Sequence, residues 1–72
     1  MNTLERTINR HRVAKARKMV LVIKRHVDPA LAQATVGRMN DRAWTALEAA
    51  ADVKPASVTT RRFVILLVRA GL

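Results

Sequence analysis

From Thr3 to His26 the chain has neither glycine nor proline, and Val13, Ala16, Val20, Ile23 and Val27 return at steps of three and four residues. That step is the period of one helix face, so the pattern predicts a long helix over about residues 3–26 with a single apolar stripe. The stripe begins only at Val13. Leu4 and Ile8 form a separate short seam on another face, which leaves residues 1–12 as a basic arm or as a contact for a second copy of the chain. The run Met19-Val-Leu-Val-Ile23 also reads as a buried strand, because it is β-branched and too short for periodicity to decide. The spacing around it favours the helix.

Asp28-Pro29 signals a new helix, with aspartate accepting from orphan N–H groups and proline pre-set for the first helical position. A short helix from Pro29 to about Val36 is expected to end at Gly37 in the left-handed geometry of a C-cap. Asn40 or Asp41 then caps a helix from Arg42 to about Ala51. In it Ala43, Trp44, Leu47, Ala50 and Ala51 keep the helical period, and Trp44 is the expected core anchor. Lys54-Pro55-Ala56-Ser57 interrupts the pattern, since a residue before proline avoids the α region and Ser57 is a good N-cap. The last helix runs from Val58 to about Ala70 and closes on Gly71. Its centre, Phe63-Val-Ile-Leu-Leu-Val68, is apolar on every side, which predicts cover from several neighbours or from a second subunit. The whole is an all-α fold of three to four helices in a single domain over residues 1–72, expected to be a homodimer.

Composition sharpens this picture. A chain of 72 residues buries only about 60% of its unfolded surface, so the core is thin. Half of the residues are apolar and the formal charge is +9, which combines the means to fold with attraction for polyanions. There is no cysteine, as expected in a reducing compartment, and His11 and His26 would stand about 22 Å apart on one helix, too far to share a metal. No cofactor is expected. The longest uncharged apolar runs, Met19–Ile23 and Phe63–Val68, are too short for a membrane span or a signal peptide, so a soluble cytoplasmic protein with no membrane partner is the expectation. The aromatic residues are Trp44 and Phe63 alone, which leaves little to stack on unpaired bases and favours a duplex.

Charge is unevenly spread. Residues 1–26 carry Arg6, Arg10, Arg12, Lys15, Arg17, Lys18, Lys24 and Arg25 against Glu5, a net of +7. Residues 27–56 carry a net of −1, and residues 57–72 add +3 through Arg61, Arg62 and Arg69. The middle is a scaffold by charge and the ends are basic surfaces. Arg10, Arg12, Lys15, Arg17 and Lys18 are the candidates for gripping a nucleic-acid backbone.

From Trp44 onward the chain follows the order of helix, short turn and polar-headed helix, centred on Leu47-Glu-Ala-Ala-Ala-Asp-Val-Lys-Pro-Ala-Ser-Val-Thr-Thr-Arg-Arg62. Small residues at Ala49–Ala51 would let the two helices cross closely, with Val53 and Val58 filling the angle. The second helix opens on Ser57, Thr59, Thr60, Arg61 and Arg62, donors that suit phosphates and base edges from a helix in the major groove. Its N-terminus adds a partial positive charge. This stretch of 29 residues, 44–72, resembles the helix-turn-helix and winged-helix DNA-binding regulators of bacteria and their phages, whose recognition helix ends in a tail like Arg69-Ala-Gly-Leu72. The resemblance implies that Thr59, Thr60 and Arg61 face bases while Ser57 and Arg62 hold phosphate. Two features depart from it. Asp52 stands where such turns carry glycine, and Leu72 falls where a winged-helix protein continues into its β-hairpin, so a wing is missing or supplied otherwise. The other pairing, Pro29–Val36 with Arg42–Ala51 as reader, would present Glu48 and Asp52 to a polyanion and is disfavoured by repulsion.

The expected function is therefore non-enzymatic duplex-DNA binding as a homodimer, in a small transcriptional regulator or an architectural protein. Neutralising about six phosphates would give a log–log salt slope near −5. A different class, an interaction protein docking its basic face on an acidic protein as phage-encoded inhibitors of host machinery do, has the same charge and helices. Membrane-surface binding by residues 3–26 is a third class, weakened by an apolar stripe without Trp or Phe. Charge alone does not separate DNA from RNA. For an enzyme the sequence offers no nucleophile–base pair, glycine-rich phosphate loop, metal-ligand spacing or adjacent carboxylates. Glu5, Asp28, Asp41, Glu48 and Asp52 read as caps, first turns and surface positions.

Overall fold

In the computed structural model, which describes residues 3–72, the first helix is continuous: α1 runs from Thr3 to His26. Its 24 residues span about 36 Å, and the longest extent of the molecule is 37 Å, so α1 is the axle of the fold. The expected arm belongs to this helix from Thr3 onward; Met1 and Asn2 lie outside the described residues. Met19, Val20 and Ile23 are buried while Leu21 is exposed. A strand would have put residues 19, 21 and 23 on one face, so this burial is the helical period at work.

Three shorter helices wrap the axle. Helix α2, Pro29–Thr35, starts on Asp28, whose Oδ2 accepts from the N–H groups of Ala30 at 3.1 Å and Leu31 at 3.3 Å. A 3-10 turn, Val36–Arg38, continues it. Gly37 is accordingly not a left-handed cap. It lies inside that turn, and the Arg69 guanidinium occupies the space a Cβ would need. Helix α3, Asp41–Ala50, is capped by Asn40, whose Oδ1 accepts from the Ala43 N–H at 2.9 Å. Helix α4, Val58–Arg69, is capped by Ser57, whose Oγ accepts from the Thr60 N–H at 3.2 Å.

Both α3 and α4 end in the same six-to-one and five-to-two hydrogen-bond pattern. After α3 the Val53 N–H donates to the Glu48 carbonyl and the Asp52 N–H to the Ala49 carbonyl, each at 3.1 Å. After α4 the Leu72 and Gly71 N–H groups donate to the carbonyls of Leu67 and Val68, each at 3.0 Å. The pattern needs a left-handed residue, supplied by Gly71 with φ 79° and by Asp52 with φ 54°. Asp52 therefore occupies the conformation that glycine adopts without steric cost.

The core gathers Ala16, Met19, Val20 and Ile23 from α1 with Ala32, Val36, Trp44, Leu47, Val64 and Val68, and Trp44 is the anchor the sequence suggested. Helix α4 is the principal neighbour of α1 and α3 the second. The apolar centre of α4 is mostly covered within one chain: Val64 and Val68 are buried, Phe63, Ile65 and Leu67 half-buried, and Leu66 alone of that run exposed. Of the two expected sources of cover, several neighbours or a second subunit, intramolecular packing accounts for most of the pattern.

Asp52→Gly should raise the unfolding free energy by about 0.5–1 kcal/mol, the steric relief exceeding the added chain entropy. Urea denaturation with an unchanged m-value is the measurement, and a lower midpoint would show that the Asp52 side chain contributes a stabilising contact.

Candidate nucleic-acid interface

The connection between α3 and α4 is held by a carboxylate that the sequence suggested to be on the surface. Glu48 is only 5% exposed, and one of its oxygens accepts from the Ala56 N–H while the other lies 3.6 Å from the Arg61 guanidinium. Arg61 also reaches the exposed Asp41 carboxylate at 3.3 Å, and its guanidinium sits 5.3 Å from the centre of the Trp44 ring. The arginine therefore ties the start of α4 to both ends of α3. Its Nε is buried without a hydrogen-bond partner, consistent with a side chain drawn inward by the carboxylates and the ring. Arg61 thus pairs with two carboxylates, Asp41 and Glu48.

This arrangement bears on two of the expected base-facing residues. Arg61 is half-buried and held by two carboxylates of α3. Thr60 is 2% exposed, with its hydroxyl 3.1 Å from the Ser57 hydroxyl, so it serves the helix cap and the core. Thr59 and Arg62 remain exposed. Arg62 lies two residues from Thr60 and Val64, about 200° around the helix from each, so it stands on the outer side of α4, away from the face that Thr60, Val64 and Val68 turn to the core. Of the residues expected at the helix crossing, Ala49, Ala50 and Val58 are exposed while Ala51 and Val53 are half-buried against the core, and Trp44, Glu48 and Arg61 meet beside them. Seven residues, 51–57, join the two helices, longer than the usual three- or four-residue turn of about that many in a helix-turn-helix.

The cations of α1 fall into three groups. Arg6, Arg10, Arg17 and Lys24 are exposed, and their spacing keeps them within about 40° of arc. The first three, with Asn9, Val13 and Ala14, line one shallow surface belonging to α1 alone. Arg12 and Lys15 are half-buried on the other flank, where with Ile8 and His11 they share a cleft with Pro55, Ser57 and Thr60. Lys18 and Arg25 are exposed, seven residues apart on the outer face. The structure thus brings Arg12, Lys15, Ser57 and Thr60 together, and separately Arg10 and Arg17, while Arg62 joins neither group.

Sequence reasoning omitted Arg6 and Lys24 from the interface, although their steps of four and seven residues to Arg10 and Arg17 carried the signal. It had no signal for the burial of Glu48, which depends on the turn folding back over α3. The described residues contain no cluster of three or more His, Asp or Glu side chains able to hold a metal ion, and no helix is long and apolar enough to cross a membrane. Comparison of the chain with protein-family models, curated proteins and solved structures finds no match.

Removing Glu48 orphans the Ala56 N–H and leaves Arg61 half-paired, so Glu48→Ala should cost about 2–3 kcal/mol. The corresponding fall in melting temperature is roughly 10 °C or more for a domain of this size. Arg61→Ala should be destabilising too, and the double variant should cost clearly less than the two single effects added. Strict additivity in that thermal cycle would mean the two side chains act independently.

Proposed function

We propose that this protein is a non-enzymatic duplex-DNA-binding protein that grips the phosphate backbone through α1 rather than reading bases through α4. The supporting observation is the exposed stripe of Arg6, Arg10, Arg17 and Lys24, which rises along a helix spanning the molecule's full 37 Å length. Arginine and lysine at one-turn and two-turn spacing on a rigid rod suit a row of phosphates, and they gain by counterion release whatever the sequence. Two of the three side chains a recognition helix would have needed, Thr60 and Arg61, are engaged inside the fold, which favours the architectural reading over a sequence-specific regulator. Arg12 and Lys15 beside Ser57 extend the grip toward the start of α4, and Lys18 adds charge on the outer face. A homodimer would place two such rods on one duplex, with exposed Leu66 and Leu72 as apolar contacts.

The acidic-protein alternative uses the same cations, and the salt response distinguishes it. With about five phosphates neutralised, the affinity for a mixed-sequence duplex should follow a log–log salt slope near −4.5. Arg10→Glu combined with Arg17→Glu should flatten that slope by about two and weaken binding at low salt at least tenfold. Duplexes rich in A·T or in G·C should bind within about threefold of each other, since discrimination of one base pair is worth more than that. Affinity unmoved by salt, or by the double charge reversal, would eliminate the proposal.

A further inference from the structure

On the other side of α1 lies a feature that backbone gripping does not use. A half-open cavity of about 180 Å³ runs between the last turns of α1, helix α2, the 3-10 turn and α3. Its walls are apolar: Val22 and Ile23 on one side, Val36, Met39 and Leu47 on the other, with His26 and Thr35 at the rim. The space exists because α2 turns its small Ala32 to the core and its large Leu31 outward, leaving Leu31 56% exposed. Leu31 stands one turn before Thr35, whose hydroxyl donates to the Leu31 carbonyl at 2.8 Å, so the exposed leucine shares the α2 face of Thr35 without itself lining the cavity.

We infer that this cavity is a docking groove for an acidic amphipathic helix of a partner protein, which inserts a large apolar side chain between Val22 and Met39. Size supports this, because about 180 Å³ of apolar space, open on one side, is room for one large apolar side chain. Charge selects the partner. Lys18 and Arg25 stand one turn either side of Val22 on α1 and His26 is at the rim, while the Arg38 guanidinium donates back to the Ala34 carbonyl at 3.2 Å. Of the neighbouring carboxylates Glu48 is turned into the fold, while Asp28, which caps α2, and Asp41, paired with Arg61, stay exposed outside the lining of the groove. An apolar anchor flanked by carboxylates matches both the walls and the rim. A second copy of the chain does not match, since a two-fold contact here would set Arg25, His26 and Arg38 against their own equivalents in two chains of charge +9. A duplex gains nothing from apolar walls.

The groove and the stripe of Arg6, Arg10, Arg17 and Lys24 lie on different sides of α1, with Lys18 between them. Arg17 and His26 are nine residues apart on α1, about half a turn around the helix axis, so nucleic acid and protein bind on opposite sides of one rod. The protein is then an adaptor that brings an acidic partner to DNA.

The test uses a synthetic helix of about 18 residues, rich in Glu, with Leu and Trp anchors at positions i, i+3 and i+7. Two controls have the same composition scrambled, and the same anchors with Lys in place of Glu. Fluorescence anisotropy should show saturable binding of the first peptide, at least tenfold weaker binding of both controls, and amide shifts at Val22, His26, Thr35 and Met39. Leu31→Ser and Thr35→Glu, both at exposed positions, should each weaken the acidic peptide about tenfold while duplex affinity stays within twofold. Equal binding of the scrambled peptide, shifts confined to Arg6, Arg10 and Arg17, or concentration-dependent shifts in the groove without peptide would overturn the inference. Because the duplex assay is read in parallel, loss of the groove and loss of the DNA grip are told apart.

Discussion

Burying Glu48 constrains everything at the C-terminal end of this fold. A carboxylate inside a small core is tolerated only when its oxygens are met, and here the Ala56 N–H and the Arg61 guanidinium meet them. Each partner comes from a different part of the chain, one from the connection and one from the first turn of α4. Satisfying the carboxylate therefore folds the connection back and sets the direction in which α4 leaves it. Trp44 completes the arrangement by packing against the guanidinium and filling the space between α3 and α1.

The same constraint redistributes the charge available for function. An arginine at the head of a helix looks like a ligand contact, yet this one spends its charge on Glu48 and Asp41. With Thr60 drawn into the cap, the start of α4 becomes a structural joint. The charge that remains at the surface is carried mainly by α1, which has eight cations and only Glu5 and no other acid over its length. The exposed charge thereby lies chiefly on the helix that forms the scaffold and less on the one that resembled a reader. A rod with an apolar flank held in the core and a cationic flank in water is stable and charged at once, because the helical period separates the two.

Packing around α2 shows the opposite economy. A seven-residue helix cannot orient many side chains, and with Ala32 and Val36 directed inward it fills less of the space beside α1 than a larger residue would. The result is a cavity bounded by the end of α1, α2, the 3-10 turn and α3. Asp52 in the left-handed region is a second local compromise, retained where the α3 terminus requires that geometry.

Much of the helical architecture was legible from residues 1–72 alone. The apolar period of α1, the caps at Asp28, Asn40 and Ser57, and the stop at Gly71 are local signals, and each depends on neighbours within a few residues. The charge asymmetry between the first 26 residues and the rest is likewise a property of order along the chain. What only the tertiary structure decided is which polar residues face inward. Whether Glu48, Thr60 and Arg61 meet water or other protein groups depends on contacts between distant segments, 20 residues apart for Arg61 and Asp41 and farther for Thr60 beside α1, and no local pattern encodes such distances. Gly37 is a further case: its surroundings are set by Arg69, which folding brings against it from the far end of the chain.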